Sequence, residues 1–242
     1  MAGKVYIIGA GPGDPELLTI KAYKILNNAD IIIYDRLVNK EIIKMFDNGK
    51  KELVYVGKEL GESFLQDKIN ELLYIKAKEN KIVARLKGGD PYVLGRGEEE
   101  CMYLIERGIE CEVVPGVSSA IAVPAYAGIP VTSRYYSSGF TVITGTTIDD
   151  NVISHDYIPE KGTIIILMGL HKITEVKEVL LKKRKPDEDI AVIENGTLPN
   201  QRVILGKLYE LDKIIKENRV NPPSIIVIGS VVKLREKLWK YK

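Results

Sequence analysis

The stretch VYIIGAGPGDPELLT, residues 5–19, decides the fold. Residues 5–8 are apolar and read as a short strand. A glycine cluster follows, then a helical pattern over 16–26 with apolar residues at 17, 18, 22, 25 and 26. A strand turning sharply into a helix is the opening of an α/β unit. Nucleotide-binding domains open the same way, so the loop poses a chemical question. The dinucleotide fingerprint needs G-x-G-x-x-G, with a pyrophosphate on the helix N-terminus. Here Gly9, Gly11 and Gly13 are spaced G-x-G-x-G, with Pro12 between the last two. Asp14 comes next, and its carboxylate would repel a phosphate. No GKS or GKT occurs, so there is no Walker pattern. Asp14 reads as a helix cap, with Pro15 as the first helical residue.

Outward from this loop the alternation continues. Strands are expected at 31–34, 53–56, 82–86 and 112–114, and helices at 40–46, 66–78 and 98–107. Strand–helix alternation predicts a mostly parallel sheet with helices on its faces. Around 130–139 the chain is rich in Pro, Ser and Gly without a period, which reads as a linker. The expected boundary gives an N-terminal α/β domain over 1–133 and a C-terminal one over 134–242. In the second domain strands are expected at 140–144, 163–168, 190–194, 202–205 and 224–228, and helices at 173–183, 208–217 and 231–240. The alternation there is less strict, which predicts a mixed sheet.

Composition narrows the function classes. Among 242 residues, 45% are hydrophobic and 28% charged, an ordinary globular balance. A net charge of +2 gives no support to a general nucleic-acid or membrane-surface role. Apolar runs are far short of the roughly 20 residues that span a bilayer. No basic segment followed by a long apolar stretch opens the chain, which predicts no secretory leader and a cytoplasmic setting. Cys101 and Cys111 form no CxxC and are expected as free thiols in a reducing compartment. Two histidines cannot build a His-rich site, so no metal is expected.

Two further strand ends carry similar turns. In ARLKGGDPYVLGRGEEE (84–100), Gly88 and Gly89 follow Lys87 and would let backbone approach a ligand closely. Arg96 and Gly97 then precede a helix with an acidic first turn. In VVPGVSSA (113–120), Pro-Gly again follows a strand, with small hydroxyls at a helix start. In an open parallel sheet ligands bind at the carboxyl ends of strands, so these turns predict one backbone-lined pocket for a small molecule.

GAGPGDPELLT, YDRLV, RLKGGDP, GRGEEE, VPGVSSA, AGIPVT, MGL, ENGT followed by QR, and PPSIIVIGSVV occur in the order found in tetrapyrrole methylases. The chain resembles that family from Val5 to Val232. The resemblance implies two α/β domains with a cofactor cleft between them, S-adenosyl-L-methionine as methyl donor with S-adenosyl-L-homocysteine as its product, and a homodimer. It implies methylation of two ring carbons of uroporphyrinogen III, giving precorrin-2 for cobalamin or sirohaem biosynthesis. It places Pro12, Gly88, Gly89, Asp90, Val93, Ser118, Ser119, Met168 and Gly196 against the cofactor. It makes Asp35 the proton acceptor and Lys58 the proton donor.

Alternative readings stand beside these roles. Asp35 ends a strand and could cap a helix or pair with Arg36. Lys58 could hold a substrate carboxylate, and Met168 could pack in a core. An octacarboxylate substrate calls for local cations, for which Arg36, Lys58, Lys87, Arg96 and Arg134 are candidates. Family histidines are absent at three places, the loop after Lys58 (ELGESFLQ, 59–66), Thr132-Ser133-Arg134 and Gly145-Thr146, and neither His155 nor His171 receives a role. Competing functions are another methylase of the family, acting on a later precorrin or a diphthine intermediate, and an NAD-dependent oxidoreductase in which Asp35 would hold a ribose.

Overall fold

The computed structural model describes residues 3–57, 65–79, 81–147 and 149–239. Lys58 lies outside the described residues. Two compact units divide the chain, Met1–Ser119 and Ala120–Lys242. That division falls ahead of the boundary read from the sequence at 133/134, so the stretch over 130–139 belongs to the second unit.

In the first unit, β1 (Lys4–Gly9), β2 (Ile31–Tyr34), β3 (Glu52–Tyr55), β4 (Ile82–Lys87) and β5 (Glu110–Val114) form one sheet in the order β3-β2-β4-β1-β5. Every neighbouring pair is parallel, as the alternation predicts. Helices α1 (Ile20–Asn28) and α2 (Lys40–Phe46) cover one face through Ala22, Leu26, Ile42 and Phe46. Helices α3 (Leu65–Lys78) and α4 (Gly97–Ile105) cover the other through Ile69, Leu73, Ala77 and Leu104. The inner strands β2, β4 and β1 are largely buried on both faces, which is why they read as apolar runs. From β1 the chain passes to β2, and from β4 it passes to β5 on the opposite side. The neighbours β1 and β4 therefore form the switch point of the sheet, the place where open α/β sheets generally bind their ligands.

The second unit has a mixed sheet, again as expected. Strands β6 (Phe140–Thr144), β7 (Thr163–Leu167), β8 (Asp189–Glu194), β9 (Arg202–Lys207) and β10 (Ser224–Ile228) take the order β6-β7-β10-β8-β9. Only the β6–β7 pair is parallel. Helix α5 (Ser119–Tyr126) starts at the boundary between the units. Helices α6 (Ile173–Leu181) and α7 (Leu211–Glu217) pack on Ile164, Ile166, Val192 and Ile226.

Three local readings change. The helix expected over 16–26 is two elements: Asp14 caps a 3-10 turn, Pro15–Leu17, and Thr19 Oγ1 accepts from Ala22 N at 3.1 Å to start α1. The helix expected over 231–240 is a 3-10 stretch, Ser230–Leu234, running into the single turn of α8 (Arg235–Leu238). The third concerns the thiols. Cys101 on α4 and Cys111 on β5 are joined in a disulfide, not free, with Cα atoms 5.7 Å apart. The β4–α4–β5 crossover lays α4 back on the sheet and brings the two cysteines together. Among the described residues, no helix is long and apolar enough to cross a membrane.

Candidate active site

The loops after β1, β4 and β5 meet at the switch point. Gly11 and Gly89 exchange two backbone hydrogen bonds, of 3.2 and 2.7 Å. The Asp90 carboxylate ties in the third loop, accepting from Gly116 N at 3.0 Å and from Tyr92 N at 2.8 Å. Backbone touches backbone here. A Cβ on Gly9 would stand 2.5 Å from Gly116 Cα, and one on Gly116 would stand 2.4 Å from Gly89 O. The loop after β2 joins them: Asn39 Nδ2 donates to Gly13 O at 2.7 Å, and a Cβ on Gly88 would meet Leu37 Cβ at 2.7 Å. Close approach of the loops to one another requires glycine at Gly9, Gly88 and Gly116, whereas Gly89 has room for a Cβ and is held at φ 70°. Gly116→Ala is expected to destabilise by about 1–3 kcal/mol, the range for overpacking. A lower urea midpoint at unchanged slope checks this.

The loops after β1, β4 and β5 contain two carboxylates, Asp14 and Asp90, and one cation, Arg96, which Glu99 already engages. A pyrophosphate seated there would have to compete with Glu99 for its counter-charge. A phosphate-free, cationic ligand suits the same surface.

Beneath Asp35 lies a buried ionic network. Period-two alternation points Val83, Arg85 and Lys87 of β4 toward α3 and α4. Val83 joins the apolar cluster, and the two cations emerge at its end, 2% and 5% exposed. Glu100 of α4, fully buried, meets them: its Oε1 accepts from Lys87 Nζ at 2.8 Å, Arg85 Nε at 3.2 Å and Gln66 Nε2 at 3.2 Å. Burial opposes the Glu100 charge, yet Arg85 and Lys87 hold its carboxyl below the usual range. Burial, with Arg85 beside it, brings the Lys87 ammonium below its ordinary value despite Glu100. The other end of Arg85 reaches Asp35, Nη2 to Oδ2 at 3.2 Å, while Asp35 Oδ1 accepts from Leu37 N at 3.1 Å. Asp35 is neither the cap of α2, which is Asn39, nor bonded to Arg36.

The remaining candidates divide by unit. In the first, Pro12, Gly88, Gly89, Asp90 and Val93 are half-buried along the joined loops. Ser118 and Ser119 follow the third loop, and Ser119 N would lie 3.8 Å from a Cβ on Gly89. Arg36 is exposed. Arg96, in the left-handed conformation at φ 58°, grips Glu99 through two hydrogen bonds of 2.8 and 2.7 Å. In the second unit, Met168 leaves β7 at φ 55° with an exposed side chain, and Gly196 abuts Val123 of α5. Arg134 is exposed. Arg85 and Glu100 are absent from the sequence reading. Their signal is the alternation in ARLK: two cations on one face of a central, doubly covered strand require a buried anion.

The model of the family of tetrapyrrole (corrin/porphyrin) methylases matches residues 4–212. The uroporphyrinogen-III C-methyltransferase of Methanocaldococcus jannaschii is 46% identical over 237 residues, covering 96% of this chain and 98% of that one. The S-adenosyl-L-methionine-dependent uroporphyrinogen III methyltransferase of Methanosarcina barkeri is 48% identical, covering 99% and 96%. Among solved structures, uroporphyrin-III C-methyl transferase from Thermus thermophilus, complexed with S-adenyl homocysteine, superposes with a TM-score of 0.83 at 36% identity, covering 96% and 94%. With the family model matching residues 4–212 and a relative 46% identical along 96% of the chain, the chain belongs to the tetrapyrrole methylase family.

Proposed function

We propose that the chain transfers methyl groups from S-adenosyl-L-methionine to two ring carbons of uroporphyrinogen III, giving precorrin-2. The observation that carries this is likeness to enzymes of that name along 96% of the chain. The loop chemistry supports it: a sulfonium ligand without phosphate fits loops that hold two carboxylates and one cation, Arg96, already engaged by Glu99. The sulfonium supplies an already electrophilic methyl. The chain's own task is to align donor and acceptor carbon, exclude water and take up a proton.

In this reading Pro12, Gly88, Gly89, Asp90, Val93, Ser118 and Ser119 line the cofactor from the first unit, and Met168 and Gly196 from the second. Asp35 accepts the proton released as the methylated ring regains its double bond. Lys58 returns a proton or holds a substrate carboxylate. Arg36, Arg96 and Arg134 offer forks to the remaining carboxylates. Lys87 already faces Glu100 and serves substrate only through its charge. S-adenosyl-L-homocysteine is the leaving product, the assembly is a homodimer, and the setting is cytoplasmic. There the Cys101–Cys111 bond would rank among the exceptional intracellular disulfides.

Incubation with uroporphyrinogen III and methyl-labelled cofactor tests the reading. A product carrying two labelled methyl groups is expected. Calorimetry on the same sample should show binding of S-adenosyl-L-homocysteine and none of NAD. NAD binding without the adenosyl ligand would overturn the assignment. Methylation of a different tetrapyrrole alone would move it to another member of the family.

A further inference from the structure

We infer that Arg85, held from behind by Glu100, is a positioning residue for the Asp35 carboxylate. The inference rests on Asp35 acting as the base and adds how that base is aimed.

Arg85 is used at three points. Its Nη2 donates to Asp35 Oδ2 at 3.2 Å, its Nε to Glu100 Oε1 at 3.2 Å, and its Nη1 to Leu86 O at 3.1 Å. A planar fork bridging three acceptors has little rotational freedom, which an ammonium on a flexible stem would retain. The Asp35 carboxylate is in turn held at both oxygens, one by Arg85 and one by Leu37 N. Its plane is thereby fixed, and its face is set by the register that pairs Ile33 of β2 with Arg85 of β4. Glu100 is anchored independently. Gln66 donates to it and to Asn70 Oδ1, so α3 braces the carboxylate that braces Arg85. Charges alternate along the row: Asp35, Arg85, Glu100, Lys87. Only Asp35 opens appreciably to solvent, its side chain 24% exposed against 3%, 0% and 7% for the others. An ionic row with a single accessible end is a mount for the group at that end. Packing alone does not require such a row, because apolar residues fill buried space at less cost.

A double-mutant cycle tests this. Arg85→Lys keeps the charge and loses the fork. Its single-turnover rate is expected to fall about 10²-fold, the scale of an ångström's misplacement, with cofactor affinity unchanged. In an Asp35→Asn background the same substitution should add no further loss. Glu100→Gln is run through the same cycle, and its loss should likewise vanish without Asp35. If Arg85→Lys does not fold, this second variant decides alone. Equal losses with and without the Asp35 carboxylate would overturn the positioning role while leaving Asp35 as base. A full rate for Asp35→Asn itself would instead overturn the reading beneath it.

Discussion

Asp35→Asn is expected to keep the fold and the affinity for S-adenosyl-L-homocysteine while slowing single-turnover methyl transfer about 10²–10⁴-fold, the range for loss of a positioned base. Asparagine matches aspartate in shape but cannot take the proton. The carboxylate here sits at the carboxyl end of β2, partly exposed, with both oxygens held by protein donors. A purely structural Asp35 predicts the opposite pattern. Asparagine still accepts from Leu37 N but loses the acceptor facing Arg85 Nη2, which would then lower stability by about 1.5–3 kcal/mol, the range for a hydrogen bond to a charged group, and leave turnover intact. A melting curve and a single-turnover assay on one sample separate the two. A rate loss below about tenfold, worth about 1.4 kcal/mol of barrier, would reduce Asp35 to a residue of the site's wall.

The second large effect is on stability. Glu100→Ala should cost about 3–5 kcal/mol, because it leaves Arg85 and Lys87 buried without their shared anion. Replacing all three by apolar residues of similar volume should cost much less and still abolish efficient turnover. Equilibrium unfolding in urea measures both. Acid exposes the same group. An unfolded glutamate takes up its proton near about pH 4.3, whereas the folded Glu100 carboxyl, held down by two cations, does so at lower pH. Its contribution is therefore whole above the unfolded value and is lost as pH falls through the folded one. Glu100→Gln should lack that part of the acid-induced decline.

Much of the first unit is legible in the sequence because each strand is a short apolar run followed by a helix of the right period. The strand order is not legible: placing β4 between β2 and β1 depends on contacts remote along the chain. The glycines and prolines of the loops are legible in the sequence and carry the proposal of a ligand site there. That the loops clasp one another is not, since Gly9, Gly89 and Gly116 meet only once β1, β4 and β5 are adjacent. Arg85 is not legible because it lies inside a strand whose apolar neighbours already account for its burial. Glu100 was hidden in an acidic run that reads as a solvated first turn, although only the third glutamate of Glu98–Glu99–Glu100 is fully buried. The disulfide is not legible because its cysteines stand ten positions apart and no paired motif announces them.

The contact between Gly9 and Gly116 has a consequence for how this site can change. A core position that gains bulk is ordinarily rescued by a neighbour that shrinks. Here each residue's wall is the other's backbone, 2.5 Å from a Cβ on Gly9 and 2.6 Å from one on Gly116, and the neighbour has no side chain left to give up. No compensating partner substitution exists. Variation can pass through the loops on either side, but a suppressor of a side chain at this junction must move a whole strand end. The two positions are therefore locked as a pair, and a library aimed at new ligand preference should hold both constant while it explores the residues around them.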